Sequence, residues 1–125
     1  MSKHVVLVED ETNIAEAIRF LLGRDGWRVE TLANGGNATE VIRAAKPDLV
    51  MLDVMLPGKT GFEILAELRS DDSLADLPIL MLTARGHARD REMAMQAGVS
   101  RFMTKPFSNE EMLTAVRELT MGRVN

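Results

Sequence analysis

Cysteine and tyrosine are absent from the 125 residues, tryptophan occurs once and phenylalanine four times. Without thiols, neither a disulfide framework nor a thiolate metal centre can form. So little aromatic surface, beside nine methionines, suits an aliphatic core better than a base-stacking platform. No apolar run approaches the roughly 20 residues that a bilayer-crossing helix requires. A basic excess is also missing: 15 Lys and Arg stand against 19 Asp and Glu, a net charge of −4, with a pI of 5.2. No global positive field therefore draws nucleic acid. Only the four apolar residues Val5–Val8 precede Glu9-Asp10-Glu11, too few for a secretory h-region. The expectation is a soluble cytoplasmic domain with no membrane partner and no direct nucleic-acid binding.

What is present is a regular alternation. Short apolar runs at His4–Val8, Arg28–Leu32, Leu49–Leu52, Ile79–Leu82 and Arg101–Thr104 read as strands. Between them lie segments of helical period. The first carries Ile14, Ala17, Ile18, Leu21 and Leu22, with Thr12 or Asn13 as its cap and Gly26 beyond its end. The second carries Ala38, Val41, Ile42 and Ala45 and stops before Pro47. A third holds Ile64, Leu65 and Leu68, and a fourth holds Met93, Ala94 and Ala97 ahead of Gly98. The last opens on Ser108 with Glu111 three residues on, a capping box, followed by Met112, Leu113, Val116 and Leu119. Near-continuous aliphatic strands imply helices on both faces of a parallel sheet. Right-handed crossovers then favour the order 2-1-3-4-5, in a single domain over residues 1–125.

In such a sheet, ligands bind at the carboxyl ends of the strands. There the sequence puts Glu9 and Asp10, Asp53, Thr83 and Lys105. Three carboxylates on neighbouring strand ends repel one another unless a cation compensates. Mg²⁺ suits them, since it takes one or two carboxylates with phosphate oxygens and retained waters. Asp10 and Asp53 can ligate directly and Glu9 through a water. Asp53, ahead of the Pro57-Gly58 turn, is held by the sheet and exposed to a phosphorus electrophile. Lys105 precedes Pro106, and a cis bond there would turn the lysine back toward the pocket. Its ammonium would pair with Asp53 and with phosphate. Thr83 could donate its hydroxyl to a phosphoryl oxygen.

Val8-Glu9-Asp10-Glu11, Asp53-x-Met55-Leu56-Pro57-x-x-Thr60-Gly61, Leu82-Thr83-Ala84-Arg85 and Lys105-Pro106-Phe107 closely resemble the receiver domain of two-component response regulators, in order and spacing over the whole chain. The resemblance implies a flavodoxin-like (βα)₅ three-layer sandwich. It implies phosphorylation of Asp53 by a sensor histidine kinase or a histidine phosphotransfer protein. Mg²⁺, with Mn²⁺ as a substitute, would be held by Asp10, Asp53 and the Met55 backbone carbonyl, with Glu9 assisting through water. Thr83, Ala84 and Lys105 would contact the phosphoryl group, and the switch would couple Thr83 to Phe102. Phe102 stands where a tyrosine would supply a hydroxyl, so no hydroxyl-mediated bond can lock the switched state. Arg91 and Glu111 match the winged-helix subfamily, whereas Ser100, Arg101 and Ala115 depart from its dimer pattern. A downstream protein target, a fused output domain and a phosphorylation-dependent homodimer are the further partner classes implied.

Side chains two residues beyond Asp53 and Thr83 flank the approach of a hydrolytic water. Here they are Met55, at best a weak acceptor, and Arg85, a donor only. A long-lived phosphorylated form with at most slow autodephosphorylation is expected. A Mg²⁺-dependent phosphohydrolase with an aspartate nucleophile is the rival class. It would need a second acid two residues after Asp53, where Met55 cannot transfer a proton. The same sequence also suits a receiver belonging to a longer transcription factor or hybrid kinase. His4 and His87 lack metal-ligand spacing, and the Arg85-to-Arg91 basic cluster reads as a solvated surface.

Overall fold

The computed structural model describes residues 3–84 and 88–121. Five strands, β1 (Lys3–Val8), β2 (Trp27–Leu32), β3 (Leu49–Asp53), β4 (Ile79–Thr83) and β5 (Arg101–Thr104), alternate with five helices. These are α1 (Thr12–Arg24), α2 (Ala38–Ala45), α3 (Gly61–Arg69), α4 (Ala88–Gln96) and α5 (Asn109–Thr120). A short 3₁₀ turn, Asp72–Leu74, links α3 to β4. The sheet order is β2-β1-β3-β4-β5, and every pairing is parallel. This is the flavodoxin-like arrangement expected from the crossovers.

Strand period divides the aliphatic residues between two cores. Val6, Val8, Val50, Leu52, Ile79 and Met81 face one side, where Ile42, Ile64, Leu68 and Ala94 of α2, α3 and α4 cover them. Val5, Leu7, Leu49, Met51, Leu80 and Leu82 face the other, against Ile18 and Leu22 of α1 and Met112 and Val116 of α5. Burial on both faces explains why β1, β3 and β4 read as unbroken apolar runs. The edge strand β2 alternates because it is half exposed.

Several boundaries and faces differ from the sequence reading. Asp53 and Thr83 are the last residues of their strands rather than the first beyond them. In α1, Ala17 is exposed and the buried pair is Ile18 and Leu22, one turn apart. Thr12 is the first helical residue and Glu11 the N-cap, with no side-chain capping bond. In α4, Met93 points to solvent and the helix meets the core through Asp90 and Ala94, again at i and i+4. Gly98 lies just past α4 with φ +95, the left-handed exit that favours glycine. The expected Ser108–Glu111 capping box is present, and Thr60 with Glu63 forms a second one that the sequence reading did not name.

Helix α3 starts directly against the backbone of the third strand. A Cβ at Gly61 would fall 2.3 Å from the Asp53 carbonyl oxygen and 2.9 Å from Val54 Cα, both backbone atoms that cannot swing away. Gly61→Ala gains about 1 kcal/mol of helix propensity. Overpacking of this kind costs about 1–3 kcal/mol, so the clash wins. Urea unfolding should therefore give a lower midpoint for Gly61→Ala than for wild type. An unchanged or higher midpoint would contradict this contact.

Candidate functional site

The register of the sheet puts the polar strand ends side by side. Val8 pairs with Leu52, Asp53 with Leu82, and Thr83 with Thr104, so Glu9, Asp53, Thr83 and Lys105 stand in one row along the carboxyl edge. Asp53 is only 4% exposed and Glu9 2%, while Asp10 is exposed. One carboxylate oxygen from each of Glu9, Asp10 and Asp53 lies within 4.8 Å of the others. The structure thus brings together the three acidic residues that the sequence singled out.

Each buried carboxylate has fixed partners. Asp53 Oδ1 accepts the Met55 amide N–H at 3.2 Å, and Oδ2 accepts the Lys105 ammonium at 3.0 Å. Glu9 Oε2 accepts the Glu11 N–H at 3.1 Å, and Oε1 lies 2.7 Å from Lys105 Nζ. The Lys105–Pro106 peptide is cis, as the sequence suggested. Burial opposes the Lys105 charge, but hydrogen bonds with Glu9, Asp53 and Glu11 outweigh it and hold the ammonium above its ordinary pKa. Burial pushes the Glu9 carboxyl up to about 7, and its neighbour Asp53 adds to the shift.

The donor set consists of hard carboxylate oxygens with one lysine as countercharge. Such oxygens suit Mg²⁺ or Ca²⁺ rather than a thiophilic metal. Two buried carboxylates and a third at the rim fit a divalent ion on this edge.

Thr83 is fully buried at the end of β4, and Ala84 beside it is exposed. Phe102 is buried in the core that faces α2, α3 and α4, with the Arg91 guanidinium 5.3 Å above its ring. The Met55 side chain is 56% exposed. Arg85 and His87 lie outside the described residues. One participant escaped the sequence reading: Glu11 Oε1 accepts a hydrogen bond from Lys105 Nζ at 3.0 Å. Glu11 has extended backbone two positions after Glu9, which returns its side chain to the same side, a geometry seen only in the structure.

The raised Glu9 pKa has a measurable sign. Between the unfolded value of 4.5 and about 7, the unfolded chain ionises Glu9 while the folded chain keeps its proton. In metal-free buffer, stability from this group is complete below that window and is lost as pH rises through it. Chemical unfolding across pH should show this decline in wild type and not in Glu9→Gln. Parallel profiles would contradict a perturbed Glu9.

The chain matches the family profile of the response regulator receiver domain over residues 5–117. Among solved structures, it is similar to the beryllofluoride-activated N-terminal receiver domain of RstA from Klebsiella pneumoniae. The two are 30% identical, the alignment covers 95% of this chain and 99% of that one, and the TM-score is 0.87. The chemotaxis protein CheY4 of Vibrio cholerae is 28% identical over 95% of this chain and 99% of its own, with a TM-score of 0.88. The receiver domain of the sensor histidine kinase PA1611 from Pseudomonas aeruginosa is 28% identical over 96% of this chain and 98% of its own, with a TM-score of 0.87. That structure has a magnesium ion coordinated in its active-site cleft. With its two-sided parallel sheet and an acidic edge closed by a lysine, the chain belongs to the response regulator receiver domain family.

Proposed function

We propose that this chain is a cytoplasmic signalling switch that takes a phosphoryl group from a phosphohistidine onto Asp53. The observation that carries the reading is the Asp53 carboxylate itself. It ends a buried central strand, is oriented by the Met55 amide and Lys105, and has two further acidic residues beside it. In the transfer, an Asp53 oxygen bonds to phosphorus and the P–N bond of the donor breaks. The electron pair leaves on the imidazole, which takes a proton from solvent. The donor is a sensor histidine kinase or a histidine phosphotransfer protein.

Asp10, Asp53 and the Met55 carbonyl would hold Mg²⁺ directly, with Glu9 through water. When bound, the ion supplies positive charge for the phosphoryl oxygens. Lys105 binds one of those oxygens, and Thr83 and the Ala84 backbone bind others. Movement of Thr83 toward the phosphoryl group is read out at Phe102 and the Arg91 that covers it. The absence of a phenolic hydroxyl makes this readout one of packing. Hydrolysis is slow, because Met55 and Arg85 offer no group that aligns or deprotonates a water. The domain is a unit of residues 1–125 whose output lies in a partner or a fused domain. In support, the solved neighbours include the receiver of a signal transduction histidine kinase and a LuxR-family DNA-binding response regulator. Among the described residues, no helix is long and apolar enough to cross a membrane.

Incubation with acetyl phosphate and Mg²⁺ should add one phosphoryl group to wild type by intact mass and none to Asp53→Asn, whose amide is a poor nucleophile. Labelling of the variant at the wild-type rate would place the acceptor elsewhere. Mg²⁺ should also raise the melting temperature, since an ion that binds only the folded state adds RT ln(1 + [L]/Kd). That is about 2.7 kcal/mol at a hundredfold excess over Kd. Asp10→Ala should lose this increment. Identical wild-type melts with and without millimolar Mg²⁺ would contradict the metal site.

A further inference from the structure

Lys105 sits among three carboxylates and donates hydrogen bonds to two of them, Glu11 and Asp53. An ammonium has three N–H donors, and three carboxylate oxygens lie within 3.0 Å of Nζ: Glu9 Oε1 at 2.7 Å, Glu11 Oε1 at 3.0 Å and Asp53 Oδ2 at 3.0 Å. The N–H given to Glu11 is the one held by an exposed carboxylate, while Glu9 adds an ion contact without a hydrogen bond to its Oε1. The three are not equivalent. The side chains of Glu9 and Asp53 are buried, and separating a buried charge from its partner is costly. The Glu11 side chain is 56% exposed, so water can replace the lysine there at little cost.

The local backbone presents Glu11 for this task. It sits at the N-cap of α1 in extended conformation, and its own N–H is anchored on Glu9 Oε2 at 3.1 Å. Its side chain makes no capping bond to the helix. An N-terminal carboxylate would ordinarily serve the free amides of the first turn. Here it reaches across to β5 instead and meets Lys105, 94 residues away in sequence.

We propose that Glu11 is a positioning residue that restrains Lys105 in the unphosphorylated protein and yields it when a phosphoryl group enters. The proposal rests on the reading of Asp53 as phosphoryl acceptor. On entry, one Lys105 N–H turns from Glu11 to a phosphoryl oxygen, and Glu11 passes to water. No covalent bond changes at either residue. Glu11 therefore opposes occupation of the site, and neutralising it strengthens occupation.

Calorimetric titration with beryllofluoride at saturating Mg²⁺ tests this, with Mg²⁺ alone titrated in parallel. Glu11→Gln should bind beryllofluoride about two- to fivefold more tightly than wild type, the range of an exposed ion pair. Its affinity for Mg²⁺ alone should be unchanged. Glu16→Gln removes the same charge further along α1, where no contact with Lys105 exists, and should bind beryllofluoride like wild type. Equal or weaker binding by Glu11→Gln overturns the proposal. So does a matching gain in Glu16→Gln, which would make the effect one of charge alone, or a matching gain in Mg²⁺ affinity. Failure of wild type to bind beryllofluoride overturns the acceptor reading itself, an outcome distinct from a role for Glu11 alone.

Discussion

Among the described residues, the Lys105 ammonium is the one positive charge seated among the carboxylates at the acidic edge, and the arrangement of that edge follows from it. Glu9 and Asp53 are both buried, and two anions so close would drive each other toward protonation without a nearby cation. Lys105 reaches them from β5, with β4 lying between it and the strand that carries Asp53. Adjacent strands are about 4.8 Å apart, so the four-carbon lysine stem spans a gap that a shorter side chain could not. Lys105 partly offsets the charge that a divalent ion would neutralise more fully. Glu9 nevertheless remains above its ordinary pKa, chiefly because burial disfavours its charge, with Asp53 adding to the shift and Lys105 opposing it.

The fold holds this edge by backbone contacts close to it. The N-terminus of α3 rests on the Asp53 carbonyl at Gly61, and the Thr60 capping box starts that helix without borrowing a group from the site. Further along the loop after β3, Lys59 pairs with Glu67, which also accepts the Thr39 hydroxyl from α2. The loop that carries Met55 is thereby tied to two helices. A segment held at both ends keeps the Met55 amide aimed at Asp53 Oδ1. Preorganisation of this kind lets a carboxylate react without first searching for its orientation.

The sheet was the most legible part of the sequence, because burial on both faces leaves aliphatic runs that resist other readings. The crossover rule then put Glu9, Asp10 and Asp53 on neighbouring strands, as the structure bears out. Helix faces were harder. Small or flexible residues such as Ala17 and Met93 satisfy an apolar period without being buried, and the faces that pack are one position further on, at Ile18 and Ala94. The cap of α1 was misplaced for an electrostatic reason: Glu11 holds the N-cap position, but its carboxylate is drawn to a lysine from the far end of the chain. A pair that spans 94 residues is set by the fold and not by the residues around Glu11. Arg91 over Phe102 was likewise hidden, since it depends on how α4 packs against β5.

The central claim is chemical: the phosphoryl group resides on the Asp53 carboxylate as an acyl phosphate. Borohydride reduction of the phosphorylated protein, followed by peptide mass spectrometry, reads this directly, because an aspartyl phosphate is reduced to homoserine whereas a phosphate ester is not. The account predicts homoserine at position 53 alone, and only after treatment with phosphodonor and Mg²⁺. Homoserine at Asp10 or Glu-derived alcohol at position 9, or a phosphate that survives reduction on a serine or threonine, would contradict it.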